Sequence, residues 1–231
     1  MSTLRARQLV VLRDRIRRLD KPRAEDRPAL TLGIEAIDGT LPWNGLPGAS
    51  LHEIVGRPGD AAATGFAAWL LARLKGQVLW CRGDSSETGI PYAPALAQSG
   101  LPPERCLVVE SNRPDERLWA MEEALRAGAF SAVLAEDTPA DLTATRRLQL
   151  AAESGRTMAL LLLSQQRHGR VSAALTRWQV SAAPVEENET ARWQLALARC
   201  RNGAGGTWQV SRDDETLSLR LAATLADRPL A

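Results

Sequence analysis

The sequence predicts an α/β fold in which a mainly parallel, twisted sheet is flanked by helices and extended by C-terminal antiparallel strands. Three observations lead to this prediction. Short apolar runs alternate with helical runs from residue 51 to residue 163, which is typical of a parallel sheet covered on both faces. A glycine-containing turn follows the first apolar run. After residue 171, strand-like segments follow one another without helices between them.

Residues 1–27 predict a basic amphipathic helix followed by a linker. Nine basic and four acidic residues give this segment a charge of +5, which leaves −3 for the remainder of a chain that carries +2 overall. Over residues 3–19 the apolar side chains recur at helical spacing, at Leu9, Leu12, Ile16 and Leu19. A basic arm on a mildly acidic body suits an acidic partner surface or nucleic acid. The alternatives are a solvated helix and a helix folded onto its own domain.

Five apolar segments predict parallel strands, and the segments between them predict helices. The predicted strands are Leu51–Val55, Gln77–Cys81, Cys106–Val109, Ala132–Glu136 and Thr157–Leu163. Each is short and bounded by turn residues, as expected of a parallel strand that is buried on both faces. The predicted helices are Ala61–Leu74, Pro91–Ser99, Pro114–Ala127 and Leu142–Ser154.

The predicted core spans residues 28–222 and ends in four further strands, before a frayed tail at residues 223–231. These strands are Leu175–Ser181, Arg192–Arg201, Thr207–Arg212 and Leu217–Leu221. The glycine-rich segment 202–206 predicts a hairpin turn between two of them.

Tryptophan is unusually frequent, with seven residues against one tyrosine. Trp69, Trp80 and Trp119 fall on predicted elements and are assigned to the core. Three more are assigned to packing across the late strands: Trp178, Trp193 and Trp208. An exposed aromatic cluster that stacks bases or anchors a protein partner is the alternative for these three.

The turn after the first strand has the layout of a Walker A loop without its functional side chains. Such a loop, G-x-x-x-x-G-K-[ST], follows a strand and opens a helix. The loop residues are Gly56, Gly59 and Asp60, then Ala61, Ala62 and Ala63 at the Gly, Lys and Ser/Thr positions, with Thr64 one residue late. Without the lysine nothing reaches the β- and γ-phosphates, and without the hydroxyl a magnesium ion lacks its protein ligand. The sequence therefore predicts no ATP hydrolysis and no cofactor.

Two interpretations of this loop remain open. Backbone N–H groups at a helix N-terminus bind anions without help from side chains, although the charge of Asp60 opposes such binding. The other interpretation is a purely structural turn.

Cysteine spacing and hydropathy exclude several classes of protein. Cys81, Cys106 and Cys200 have the spacing of neither a zinc site nor a disulfide pair. The apolar run at residues 158–163 is too short to span a bilayer, and the N-terminus lacks the continuous apolar segment of a signal peptide. We therefore expect a soluble, cytoplasmic protein without a metal site.

The order of elements resembles the RecA recombinase core over residues 28–222. The string GLPGASLHEIVG is similar to the segment that leads into the recombinase P-loop. By this resemblance Glu136 stands where the Walker B aspartate ends the fourth strand, and Gln165 where the phosphate-sensing glutamine follows the fifth. Arg199 and Arg201 stand where two lysines reach ATP across the subunit interface. The resemblance implies a RecA-like core with vestigial Walker B, sensor and interface residues.

The departures from the recombinase pattern imply lost catalysis. The glutamate that activates water in recombinases aligns with Gly83, and both DNA-binding loops look shortened. The second loop would be the basic segment QQRHGR, in which Arg167, His168 and Arg170 are candidate nucleic-acid contacts. A solvated turn is the alternative there. Glu136 and Asp137 would bind magnesium weakly at most, and a solvated or helix-capping acidic pair is the alternative.

Within this superfamily the chain resembles the ImuA family over nearly its whole length. Similar strings include VLWC, LPPERCLVVES and RPDERLWAMEEALRAGAFSAVLAE, and the later TRWQV and RWQLALARCRNG. ImuA proteins are recombinase-like accessory proteins of bacterial mutagenic translesion cassettes, induced by DNA damage in the SOS response. The resemblance implies three partners: an ImuB-type Y-family-like protein, through it an error-prone polymerase, and the RecA recombinase. Self-association through the apolar stripe of the arm remains open, and any DNA contact, carried by the basic arm with Arg167 and Arg170, is expected to be weak or indirect.

Two other functions remain open. The segment from residue 113 to residue 136 also resembles SulA, the inhibitor of cell division that acts on FtsZ. A minimal inhibitor of that kind would need neither the basic arm nor the late strands. The second alternative is an active DNA-dependent ATPase of the recombinase type, which the missing lysine and hydroxyl oppose.

We predict that the apolar stripe of the N-terminal helix docks on the RecA recombinase, as an amphipathic helix docks in a groove. Replacing Leu12 and Ile16 with Asp should abolish binding to RecA and leave the melting temperature unchanged, because the arm lies outside the predicted core. A pull-down with RecA, with an ImuB-type partner as control, measures this together with thermal melting. A stable variant that still binds RecA would contradict the docking, and a large drop in melting temperature would place the stripe on the chain's own core.

Overall fold

A nine-stranded sheet runs through the residues that the structure, a computed structural model, describes, which are 29–83, 92–164, 171–185 and 191–222. In chain order the strands are β1 (Leu51–Gly56), β2 (Val78–Arg82), β3 (Cys106–Glu110), β4 (Ala132–Glu136), β5 (Met158–Ser164), β6 (Thr176–Ala182), β7 (Ala191–Cys200), β8 (Gly206–Arg212) and β9 (Leu219–Leu221). Their order across the sheet is β3-β2-β4-β5-β1-β6-β7-β8-β9.

One short helix precedes β1, and longer or shorter helices connect the parallel strands from β1 to β5. They are α1 (Glu35–Asp38), α2 (Ala62–Ala72), α3 (Ala93–Gln98), α4 (Pro114–Ala127) and α5 (Leu142–Gly155). Helix α4 begins with proline, which lacks the N–H that a first turn leaves unpaired, and ends at Gly128 in the left-handed conformation. Helix α5 begins after Asp141, whose side chain accepts a hydrogen bond from the Ala144 N–H. In the part of the chain that is described, no helix is long and apolar enough to cross a membrane.

The predicted fold class is confirmed, with one correction to the direction of a strand. Strand β1 is parallel to both β5 and β6, and β7, β8 and β9 continue the sheet in antiparallel fashion. The prediction grouped β6 with the antiparallel strands. Burial alternates along β6, because the sheet is covered mainly on one face from this strand onward. An alternating pattern is typical of antiparallel strands, so the sequence pattern pointed to the wrong direction.

Two residue environments also differ from the prediction. Strand β3 was predicted to be buried, but it lies at the edge of the sheet, where Leu107 is 53% exposed and Val108 is 45% exposed. Trp119 was assigned to the core, but it lies on the outer side of α4 and is 64% exposed. In both segments apolar side chains predict burial, but the described neighbouring elements do not cover them.

The core consists of two layers, one on each face of the sheet. On the α2 face, the Phe66 ring lies 6.0 Å from that of Trp69, 6.2 Å from that of Trp178 and 5.8 Å from that of Trp193. Helices α4 and α5 cover the other face with residues such as Met121, Leu125 and Leu148. Each buried aromatic or aliphatic side chain contributes about 1.5–3 kcal/mol by leaving water. The prediction that the late tryptophans pack rather than form an exposed cluster is confirmed, since Trp178 and Trp193 are buried.

Arg105 satisfies the C-terminal end of α2. Its guanidinium donates hydrogen bonds to the carbonyl oxygens of Leu71, Ala72 and Leu74, and its Nε donates to that of Gly76. The last carbonyls of a helix lack partners within the helix, and a positive charge there is favourable. The turn before β3 is thereby anchored to the helix that follows β1.

Polar side chains hold β1 against β6 inside the sheet. Nδ1 of His52 lies 2.8 Å from the Thr176 hydroxyl oxygen, and Nε2 lies 3.0 Å from the Pro47 carbonyl oxygen. A carbonyl only accepts, so Nε2 carries a proton. One residue along, the carboxylate of Glu53 pairs with Arg177, with side-chain exposures of 3% and 13%. His52 is thus a core histidine, as the sequence predicts.

We predict that His52 makes stability depend on pH. Burial lowers the pKa of His52 from 6.5 to about 4. As the pH falls from 6.5 towards 4, the unfolded chain takes up a proton that the folded chain refuses, so the free energy of unfolding should decrease. The loss should approach about 3 kcal/mol. Urea unfolding of the wild type and of His52→Gln, at pH 7.5, 6 and 5, measures it.

The difference between the two proteins should shrink as the pH falls, because the variant lacks the titrating ring. His168→Gln controls for the loss of a histidine and should follow the wild type. Parallel pH profiles for the wild type and His52→Gln would contradict the prediction.

Candidate functional site

The segment that the sequence predicts to be a degenerate P-loop lies between a strand and a helix. Strand β1 ends at Gly56, a turn follows, and α2 begins at Ala62. Gly59 has a φ of +77°, a conformation that glycine adopts without strain. A Cβ on Gly56 would lie 2.6 Å from the Cβ of Ala63, so the strand end and the helix approach as closely as a glycine allows. The segment therefore has the strand–turn–helix order that the sequence predicts.

The side chains at the predicted Lys and Ser/Thr positions are packed into the core. Ala62 and Ala63, which stand at the Lys and Ser/Thr positions, are 6% and 3% exposed. Both belong to the apolar layer on the α2 face of the sheet. Ala61 is exposed and Thr64 is half-buried. The first turn of α2 thus contributes methyl groups to the core at the two positions where a nucleotide site would present an ammonium and a hydroxyl.

Asp60 places a carboxylate at the N-terminus of α2. Its Oδ1 accepts a hydrogen bond of 2.8 Å from the Ala62 N–H, and its Oδ2 accepts one of 2.9 Å from the Ala182 N–H at the end of β6. A negative charge is favourable at this end of a helix, where the first N–H groups lack partners. From the sequence alone, Asp60 is only a charge that repels an anion. In the structure the Asp60 carboxylate binds the N-terminus of α2 and joins the loop to β6.

Glu136, at the Walker B position, is engaged inside the protein. Its Oε1 accepts a hydrogen bond of 2.8 Å from the indole N–H of Trp80. Its Oε2 lies 3.8 Å from Nε of Arg82, whose Nη1 lies 3.3 Å from Glu110 Oε1. Burial raises the pKa of Glu136, while the hydrogen bond from Trp80 and the charge of Arg82 act in the opposite direction. Glu136 is therefore neither a solvated carboxylate nor a helix cap.

Asp137 ties the end of β4 to the end of β5. Its Oδ1 accepts a hydrogen bond of 2.9 Å from the Ser164 N–H, and its own N–H donates to the Leu162 carbonyl oxygen. Arg117, which is buried, donates from Nε to the Thr138 hydroxyl oxygen at 3.0 Å. The carboxyl ends of the parallel strands are thus joined to one another by hydrogen bonds within the chain.

The remaining candidate residues are not gathered at this edge. Strand β7 runs antiparallel to β6 with Cys200 opposite Thr176, so Arg199 and Arg201 lie at the edge of the sheet away from the chain's own P-loop. There the guanidinium of Arg199 donates to the Ser172 carbonyl oxygen. The other candidates lie outside the described residues: Leu9, Leu12, Ile16, Leu19, Gln165, Arg167, His168 and Arg170.

The sequence does not predict three residues as members of this edge: Arg82, Trp80 and Ala182. Trp80 is predicted only to lie in the core. Their only signal was their place at or near the end of a predicted strand, since the carboxyl ends of parallel strands meet at one edge. In the described part of the chain, no group of three or more His, Cys, Asp or Glu side chains is arranged to hold a metal ion.

Comparison with known proteins places this architecture among bacterial relatives of two kinds. The family model of the cell division inhibitor SulA matches residues 68–159, from α2 to β5. The SulA protein of Edwardsiella piscicida is 38% identical over 81 residues, which cover 34% of this chain and 46% of that protein. Protein ImuA of Caulobacter vibrioides, strain NA1000 / CB15N, is 32% identical over 232 residues, which cover 88% of this chain and 93% of that protein. The ImuA protein of a second C. vibrioides strain, ATCC 19089 / CIP 103742 / CB 15, matches to the same extent. The similarity to ImuA thus extends over most of the chain, and the chain belongs to the ImuA family.

Proposed function

We propose that this protein is a non-catalytic accessory protein of DNA-damage-induced, error-prone translesion synthesis, and that it acts by binding other proteins. Membership of the ImuA family supports the role in DNA-damage-induced mutagenesis. The observation that carries the non-catalytic part is the carboxylate of Asp60 at the N-terminus of α2, where a P-loop would hold a phosphate.

A bound nucleotide would have to displace this internal anion. A phosphate at the same N–H groups would meet the negative charge of Asp60 within a few ångströms, and like charges at that distance repel. Displacing Asp60 would also break its hydrogen bond to Ala182 and release the loop from β6. No lysine stands at the Walker position to compensate, because Ala62 occupies it and is buried.

The carboxylate that would hold a metal ion, Glu136, also has a partner within the chain. Magnesium in nucleotide sites is held by a carboxylate, a hydroxyl and phosphate oxygens. Here the guanidinium of Arg82 lies beside Glu136 and Glu110, and the hydroxyl position is Ala63. A permanent positive charge next to Glu136 opposes the binding of a second cation. The contacts of Asp60 and Glu136 together support a site whose polar groups bind other parts of the same chain.

Function then resides on the surface, and the proposed partners are proteins. We propose an ImuB-type Y-family-like protein, through it an error-prone polymerase, and the RecA recombinase. DNA contact would be weak or indirect. The resemblance to the recombinase core supports RecA as a partner, because recombinase-like surfaces associate with one another in the parent family.

SulA-like inhibition of FtsZ is the second candidate, and the match to the SulA family over residues 68–159 favours it. A complementation experiment separates the two functions. In a bacterium that lacks its own ImuA, expression of this chain should restore ultraviolet-induced mutation and should not cause filamentation. Filamentation without restored mutation, together with inhibition of FtsZ polymerisation by the purified protein, would favour the SulA-like function and contradict the proposed one.

We predict that the protein neither binds ATP tightly nor hydrolyses it. Isothermal titration with ATP and magnesium should give no micromolar affinity, and phosphate release should stay at background with and without single-stranded DNA. Ala62→Lys alone should not restore hydrolysis, because no glutamate stands at Gly83 to position water. Micromolar binding, or turnover stimulated by DNA, would contradict the prediction.

We predict that Asp60→Ala destabilises the protein without creating activity. The substitution leaves the N–H groups of Ala62 and Ala182 without their acceptor, so the free energy of unfolding should fall by about 1–2 kcal/mol. Asp60→Asn keeps an oxygen for one of these groups and should lose less. Urea unfolding of both variants measures the effect, and equal stability of Asp60→Ala and wild type would show that the carboxylate does not hold the loop.

A further inference from the structure

The two edges of the sheet differ in how they are protected. Edge strands present unpaired backbone groups, and proteins usually blunt them with short strands or charged residues. At one edge β9 is three residues long and carries Arg220, whose side chain is 63% exposed. At the other edge β3 is five residues long and has the sequence Cys-Leu-Val-Val-Glu. Among the described residues no strand pairs with the outer side of β3.

Apolar side chains are exposed on both faces of β3. Leu107 is 53% exposed and stands beside Leu79, which belongs to the layer under α4 and α5. Val108 is 45% exposed and stands beside Trp80, which belongs to the layer under α2. A strand added to this edge would cover side chains on both faces and extend both apolar layers. A helix or a loop would cover only one face.

The hydrogen bonds to β2 determine which backbone groups of β3 point outward. The Ser111 N–H donates to the Arg82 carbonyl oxygen, so residue 111 points its backbone groups towards β2. Backbone groups alternate in direction along a strand, so Leu107 and Val109 also point towards β2. Val108 and Glu110 therefore point their N–H and C=O groups away from the sheet, where a further strand can bind them. Cys106 offers only its C=O group, because its N–H donates to the Pro103 carbonyl oxygen.

We propose that β3 pairs with β3 of a second copy of this chain, antiparallel and centred on Val108, so that the two sheets join about a two-fold axis. The sequence of the strand is self-complementary in this register. Val108 lies opposite Val108 of the other copy, Leu107 lies opposite Val109, and Cys106 lies opposite Glu110. The outward groups of the two Val108 residues form a hydrogen-bonded pair, and the Glu110 N–H of each copy donates to the Cys106 carbonyl oxygen of the other. An isologous contact of this kind closes at two copies and cannot grow into a fibre.

Charges and prolines favour the same arrangement. Glu110 is the charged residue of the strand, and it pairs with Arg82 of its own chain. The two Glu110 side chains stand at opposite ends of the joint. Before the strand, Pro102 and Pro103 lack the N–H groups that would prolong the pairing. The contact is therefore short, and it should give a weak, reversible dimer, as small interfaces do.

Sedimentation velocity of the full chain between about 1 and about 200 µM tests the proposal. The wild type should shift from monomer to dimer with concentration. Val108→Lys should weaken association at least tenfold, since it places two like charges at the centre of the joint. Leu221→Lys makes the matched change at the other edge and should leave association unchanged. Leu221 is similarly exposed, at 48%, so both variants should remain folded.

A cross-link tests the register. Opposite residues in a hydrogen-bonded antiparallel pair lie about 5.5 Å apart at Cα, which a disulfide spans. In a Cys106→Ser background, Val108→Cys should form a covalent dimer under mild oxidation, and Leu221→Cys should not. A wild type that stays monomeric would overturn the proposal and leave the edge to a strand of another protein. Dimerisation that survives Val108→Lys, or a wild-type dimer in which Val108→Cys fails to cross-link, would overturn it as well.

Discussion

The parallel packing of β1 between β5 and β6 is the constraint on which the rest of the structure depends. All six residues of β1 are buried, so its polar side chains need partners inside the protein. Glu53 finds Arg177 and His52 finds Thr176, both on β6 or at its start. A buried carboxylate that lost its partner would cost several kcal/mol, so these contacts hold the register of the two strands. With that register set, Ala182 lies where Asp60 can reach it.

The consequence appears at the carboxyl ends of the strands, where α/β proteins usually bind their ligands. In this chain the polar groups of that edge are occupied by one another. Asp60 binds the N-terminus of α2, Glu136 binds Trp80, and Asp137 binds the backbone of Ser164. Such contacts stiffen the edge, because each joins elements that a ligand would otherwise bridge. Such an edge supports the proposal that the protein works by binding partners.

The two halves of the sheet present different surfaces. The strands from β6 onward are packed by Trp178, Trp193 and Leu195 against the α2 face. The segment similar to SulA, by contrast, holds the exposed edge strand β3 and the exposed side chain of Trp119 on α4. Val171, Val185 and Leu221 are exposed outside this segment as well, so what distinguishes β3 is that its exposed apolar side chains lie together on one edge strand.

The sequence by itself determined the fold class, most element boundaries and the emptied loop, because these depend on local patterns. Helix α4 begins and ends where its proline and following glycine predict, and the residues at 61–63 are alanines wherever the chain folds. Only the tertiary structure decided the direction of β6, the edge position of β3 and the exposure of Trp119. These depend on which distant elements become neighbours, and an apolar side chain has the same local pattern whether or not a neighbour covers it. The role of Asp60 was decided in the same way, since its second acceptor contact lies 122 residues further along the chain.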